Sequence, residues 1–506
     1  MTATLQKSPS RATARTTEAA STSKRWWILA VLGVAQLMVV LDATVVTIAL
    51  PSAQADLGFS DSARQWIVTG YALAFGSLLL IGGRIADIVG RKWVLLVGLL
   101  GFALASAVGG AATSVGMLIA ARAVQGVFAA LLAPAILSLL TTTFTEPRER
   151  NKAFGVFGAI AGAGASIGLL LGGFLTEYAD WRWTMFVNLI FAAVALVGSW
   201  LLIDHSRSAH RAKLDLPGTL VVSSGLFALV YGFSHAETDG WANVVTLGFL
   251  IAAGVLLAAF VAMQRRAAHP LLPLRIVLDR NRGGAFIAMF AAAAGMFAVF
   301  LFLTYYLQTS LGYSAVRTGV AFLPMTGSLI VVASIASTVL VTRYSARVLI
   351  PSGMVISAFG MYLLTNIGLT TSYATHVLPS TILLGVGLGL TFAPGFNLAT
   401  LGVQAQDSGV ASATVNTMQQ VGGSVGTALL NTIAATAAAG YASSHLGQAA
   451  SPKGAALLQA NAAINSYTTA FWWAAAIFLV GAAFTALVLR PGIAQPDPEA
   501  AGGVVL

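Results

Sequence analysis

The sequence predicts an all-α integral membrane protein with fourteen transmembrane helices, on three observations. Of its 506 residues, 57% are hydrophobic and 9% charged, against roughly 25% charged in soluble domains. Apolar stretches of ~20 residues, long enough to cross a hydrocarbon core as a helix, recur along nearly the whole chain, and in that solvent a helix satisfies its own backbone polar groups. The basic residues fall into alternate loops, in step with the stretches.

The stretches run over residues 26–50, 65–83, 93–112, 115–140, 153–176, 183–203, 216–234, 243–264, 284–308, 318–341, 347–367, 375–399, 408–437 and 468–489. The seventh is the weakest, with Pro217 and Gly218 near its start; the thirteenth is long and rich in Ala and Gly, and a polar loop is expected after it over 440–466. An even count places both termini on one side. If that side is cytoplasmic, the inner loops collect 22 of the 27 Lys and Arg residues, leaving only Arg64, Arg182, Arg317 and Lys453 outside and Arg122 within a span. A miscounted helix before the middle would scramble this asymmetry.

Other classes are excluded in turn. With no cysteine, disulfides, Cys-ligated metals and cysteine nucleophiles are ruled out. The net charge of +10 belongs to short loops and reports membrane orientation, not a nucleic-acid partner. The first 25 residues, MTATLQKSPSRATARTTEAASTSKR, are basic and polar without an apolar core or cleavage site, so they are expected to form a disordered tail, not a signal peptide. No G-x-x-x-x-G-K-[ST] nucleotide loop occurs, which disfavours an ATP-driven pump. His205, His210, His235, His269, His376 and His445 lie in or near loops without His-x-x-x-His spacing, which disfavours a membrane enzyme.

Asp42, inside LMVVLDATVVTIALP, is the one acid the spans place deep in the membrane. The first helix reaches it ~16 residues after entry, about 24 Å of rise, and the fourth, entering from the other side, reaches Arg122 after ~7 residues, about 10 Å. The two charges therefore lie at similar depth. Each is too costly to leave alone, so they are expected to pair directly or through Gln125. The pair could be a permanent structural bridge; the membrane penalty favours a functional one, in which a changing Asp42 to Arg122 distance alters proton affinity.

GGRIADIVGRKW, residues 82–93, fills the loop between spans two and three. Gly83 allows close helix approach, Asp87 suits the N-terminus of a neighbouring helix, Gly90 permits a tight reversal, and Arg91 and Lys92 anchor the inner face. Gly164, Gly168 and Gly172 recur every four residues along span five, a pattern that also suits ordinary tight packing.

These segments resemble the major facilitator superfamily over the whole chain, and within it the fourteen-helix drug:proton antiporter branch. LDATVVTIALP resembles the branch's first-helix motif with Asp42 in the acidic place, GRIADIVGRK the shared loop motif, RAVQG (Arg122 to Gly126) the fourth-helix motif whose Arg is linked to proton coupling, and GASIGLLLGG, containing Gly168, Gly172 and Gly173, the antiporter motif of the fifth helix. WRWTMFVN (181–188) and GVASATVNTMQQVGGSVGTAL (409–429) are similar too. The sequence departs from the family where Leu169 stands in place of the usual proline, and VTRYSAR, the second-half counterpart of the loop motif, keeps only its basic residues.

The resemblance implies a first six-helix bundle over 26–203, a linker with two extra helices over 204–282, a second six-helix bundle over 283–490, and cytoplasmic tails over 1–25 and 491–506. It implies a bacterial plasma-membrane exporter that needs no cofactor, works as a monomer, and exchanges protons for small lipophilic or cationic compounds. Cavity candidates are Tyr305, Tyr306 and Gln308 in span nine, Phe392 and Asn397 in span twelve, and Asn416 and Gln420 in span thirteen. Lacking a second intramembrane acid, the protein is expected to prefer monovalent cations or neutral amphiphiles over dications. Export of one dedicated metabolite, such as a self-made antibiotic or a lipid precursor, is the alternative; a membrane enzyme or receptor is a remote one.

Overall fold

A computed structural model describes residues 11–59, 61–204, 215–267, 270–446 and 451–493. Lys7, His205, Arg207, His210, Arg211, Lys213 and His269 lie outside the described residues.

The first six spans are α1 (Arg11–Leu57), α2 (Asp61–Val89), α3 (Arg91–Gly110), α4 (Val115–Thr143), α5 (Pro147–Tyr178) and α6 (Trp183–Leu202). They pack on one another, α2 against α4, α3 against α4 and α6, and α1 against α5 and α6. Two further spans, α7 (Leu216–Asp239) and α8 (Val244–Gln264), pair with each other. The last six are α9 (Arg280–Ser310), α10 (Val316–Arg343), α11 (Ala346–Leu364), α12 (Tyr373–Thr400), α13 (Ser408–Ser444) and α14 (Pro452–Val488), which form the second bundle. All fourteen expected spans are thus present among the described residues, with α5 counted as one bent helix.

Local chemistry sets several starts. Glu146 accepts from the amides of Arg148 and Glu149 ahead of Pro147, the first residue of α5, and Asp215 accepts from Gly218 N at the start of α7. Pro217 therefore falls in the first turn, where its missing N–H has no partner to lose. Gly90 turns the chain from α2 into α3 at φ 108°, a backbone region open to glycine.

α1 begins at Arg11, ahead of its apolar span from Ser23. One expectation is corrected. The expected loop over 440–466 shortens, because α13 runs to Ser444 and α14 begins at Pro452, where Ser451 accepts from Gly454 N. Leu458, Ala462 and Tyr467 are buried in that early part of α14, so packing holds helical a stretch whose average polarity reads as a loop.

The bundles meet along two seams. On one, α2 lies against α13, with α7 touching both; on the other, α5 runs along α10 and α12. α5 bends by 44° between Gly164 and Ser166. The bend falls ahead of Leu169, which stands where the family's motif has proline.

Candidate functional site

Asp42 is fully buried in α1, and Arg122 of α4 is 2% exposed. Arg122 Nη1 donates to Asp42 Oδ2 at 2.5 Å and to Gln125 Oε1 at 2.9 Å, while Gln125 Nε2 donates to Asp42 Oδ1 at 3.2 Å. The direct contact and the relay through Gln125 both form. The guanidinium also lies over the Tyr71 ring of α2, 4.3 Å from its centroid. Burying either charge alone would cost several kcal/mol; paired, with further hydrogen bonds on the carboxylate, each is tolerated.

A third donor was missed in the sequence. Asn188 Nδ2 of α6 donates to Asp42 Oδ1 at 2.8 Å and to Ser106 Oγ of α3 at 3.0 Å, and Ser106 Oγ donates to Met185 O at 2.8 Å. Asn188 ends the WRWTMFVN segment, and an amide within an apolar span signals an obligatory partner as surely as a charge does. Asp42 is therefore bound by α4 and α6, with α3 behind.

The glycines of α5 explain how α1 is held. A Cβ at Gly164 would meet Val40 Cγ1 at 2.6 Å, one at Gly168 Thr44 Oγ1 at 1.9 Å, and one at Gly172 Val45 Cα at 3.0 Å. The stripe thus brings α5 onto the α1 turns around Asp42; Gly173, beside it, is buried. A second row, Gly155, Gly158 and Gly162, faces Ser337, Ala393 and Leu329 of the other bundle.

The loop motif joins the bundles on the face where the basic loops gather. Asp87 Oδ1 accepts from Gly409 N in the first turn of α13 at 3.1 Å and from Arg91 Nη2 at 3.3 Å, and Arg91 Nη2 also donates to Ser408 Oγ at 2.7 Å. A carboxylate over the first amides of a helix is electrostatically favoured. Gly83 has no room for a side chain, since a Cβ would lie 2.5 Å from Gly409 O. Lys92 serves the first bundle instead, donating to Trp200 O at 2.9 Å.

The cavity candidates do not converge. Tyr306 is buried, and its hydroxyl donates to Gly368 O at 3.0 Å. Phe392 is buried and stacks on Phe396, which meets Phe157 of α5 edge-on. Asn397 accepts from Arg150 Nε at 2.9 Å and donates to Asn151 Oδ1 at 2.7 Å, so it ties the bundles together. These three contact neighbouring helices in this structure. Tyr305 is 46% exposed, Gln308 is half-buried in a wide turn of α9, and Asn416 donates to Ser412 O. Gln420 packs opposite Gly76 of α2.

Two bundles of helices long and apolar enough to cross a membrane, with an acid and an arginine buried in one of them, make a multi-pass membrane protein, and its family makes it a transporter. Residues 32–427 match the Major Facilitator Superfamily, and the chain belongs to that family. It is 49% identical to the puromycin resistance protein of Streptomyces alboniger, over 91% of this chain and 90% of that one. It is 38% identical to a cephamycin export protein of Amycolatopsis lactamdurans, over 87% and 92%. The structure of the human organic anion transporter MFSD10 superposes with a TM-score of 0.62 at 14% identity, covering 91% of this chain and 99% of that one, which speaks to the fold.

Proposed function

We propose that the protein is a proton-coupled exporter of small lipophilic compounds, antibiotics among them, that works as a monomer by alternating access in the bacterial cell membrane. The basic face and both termini are cytoplasmic in this reading, since the Lys and Arg residues gather there. The observation that carries it is Asp42, a fully buried carboxylate bound to Arg122, Gln125 and Asn188. A proton reaching Asp42 weakens its hold on Arg122, and each proton crossing the membrane supplies about 2.3 kcal/mol per 100 mV. Asp87, Arg91 and Asn397 act as the cytoplasmic gate, and the α5 glycines let α1 move as a packed unit. No cofactor is required.

Relatives named for single antibiotics favour a second reading, a pump dedicated to one such compound. Resistance tested across unrelated drugs separates the two: protection against one scaffold alone selects the dedicated pump. The primary test uses everted vesicles with an acidified interior and ethidium as the probe. Wild type accumulates the dye, a protonophore abolishes this, and Asp42→Asn, inserted normally, lowers energised accumulation at least tenfold. Wild-type accumulation by Asp42→Asn would make the carboxylate structural and end the coupling proposal.

A further inference from the structure

Asp42 is gripped from two sides, and the grips differ in how firmly their donors are oriented. On the α6 side, Ser106 has a single hydroxyl proton and gives it to Met185 O, so toward Asn188 it can only accept. That fixes the Asn188 amide with Nδ2 facing both Ser106 and Asp42 Oδ1. On the α4 side, Gln125 is oriented by Arg122, which donates to its Oε1, and by its own longer donation from Nε2 to Asp42 Oδ1 at 3.2 Å. When Arg122 leaves, the Gln125 amide is free to reverse and accept.

We propose that Asn188 is the positioning residue of the coupling site: by holding Oδ1 permanently as an acceptor it directs the proton to Oδ2, the oxygen facing Arg122. This rests on the reading of Asp42 as the proton carrier. A proton on Oδ2 removes the carboxylate charge and sets an O–H against the Arg122 N–H, so the ion pair with Arg122 opens. The bond to α6 survives, because Oδ1 of the neutral acid still accepts from Asn188. Protonation therefore releases α1 from Arg122, leaving α4 only the longer Gln125 contact to Oδ1, which reversal of that amide removes, while α1 and α6 stay joined.

The charged and titratable groups around Asp42 are few. Arg122 comes from α4 and Tyr71 from α2; α3 and α6 present Ser106 and Asn188, and α5 presents glycines to Val40 and Thr44 on the adjoining turns. None of these last can titrate.

The test is the pH profile of ethidium accumulation in everted vesicles for wild type, Asp42→Asn, Asn188→Leu and Ser106→Ala. Asn188→Leu removes a donor to the carboxylate, so the protonated form gains and the midpoint moves to higher pH, by about one unit for a hydrogen bond to a charged group. Ser106→Ala, which does not touch Asp42, moves it in the same direction by less, through the freed amide. If Asn188→Leu fails to insert, Ser106→Ala decides alone. A purely structural role lowers transport equally at every pH and leaves both midpoints in place, which overturns the proposal. An inactive Asp42→Asn beside unshifted Asn188→Leu and Ser106→Ala removes only this inference, whereas an active Asp42→Asn removes the coupling reading beneath it.

Discussion

The two bundles share a fold and divide its tasks. The first buries an acid, an arginine and two amides in one connected network at Asp42, on helices that keep α-helical geometry through the described residues. The second has no acid deep within its spans, yet it carries wide π-helical turns at Val299–Leu303, Tyr306–Ser310, Ala336–Leu340 and Tyr373–Val377. A site that must hold a carboxylate to within a fraction of an ångström needs regular helices under it. Wide turns give up regular hydrogen bonding and often mark functional positions; three of the four lie toward the face away from the basic loops. Charge is controlled in one half and the backbone is adaptable in the other.

The largest effect that tests this division is expected from Arg122→Leu. It leaves the Asp42 carboxylate buried without its cation, which costs about 3–5 kcal/mol and is read as an earlier thermal transition of the detergent-purified protein. Adding Asp42→Asn should recover part of the loss, since the uncompensated charge is gone. The second-half control is Arg317→Leu: Arg317 is exposed and lies 3.9 Å from the Tyr313 ring centroid, an interaction worth less than about 1 kcal/mol in water. Equal losses in the two variants would break the comparison.

A middle-sized effect sharpens the packing side. Gly168→Leu places side-chain atoms where Thr44 Oγ1 already sits 1.9 Å from an ideal Cβ, so overpacking should cost about 1–3 kcal/mol and lower ethidium export with it. Gly327→Ala in α10 meets no atom within 4 Å and should be neutral or stabilising by up to ~1 kcal/mol, as alanine replaces glycine in a helix. Thermal unfolding of the two side by side is the check, and a destabilised Gly327→Ala would deny the second bundle its spare room.

The ease of reading the sequence followed the same division. Spans and basic loops were legible because the bilayer imposes length and charge rules residue by residue. The Asp42–Arg122 pair was legible because helix rise converts residue counts into depth. Asn188 escaped because an amide among apolar residues draws less notice than a charge, although its partner is equally compulsory. The partners of Tyr306, Phe392 and Asn397 were not legible for a different reason: which way a helix face points depends on the neighbour it packs against, and apolar spans carry little amphipathic signal to fix that rotation. The π turns depend on backbone register, which hydropathy does not encode.

The smallest effects compare two helix starts on the basic face. α5 carries its own acidic cap, Glu146, which accepts from Glu149 N and Arg148 N. At the start of α13, the amide of Gly409 is met by Asp87 from the opposite bundle. Asp87→Ala should cost about 1–2 kcal/mol through the unpaired Gly409 amide and, more tellingly, should loosen the bundles. Because the chain has no cysteine, a Ser412→Cys background reports this directly, and maleimide labelling should rise severalfold. Glu146→Ala should leave that labelling unchanged and only fray α5, with faster hydrogen exchange at Arg148 and Glu149. The two amides hold the Glu146 carboxyl below the usual glutamate range, so the cap is complete above that range and is lost as pH falls through the lowered value. Exchange at those amides should therefore lose its protection at low pH in wild type, whereas in Glu146→Ala it should lack that protection at every pH. Increased labelling in the Glu146→Ala background would mean that α5, too, holds the bundles together through its cap, and the distinction between a local and a borrowed cap would fail.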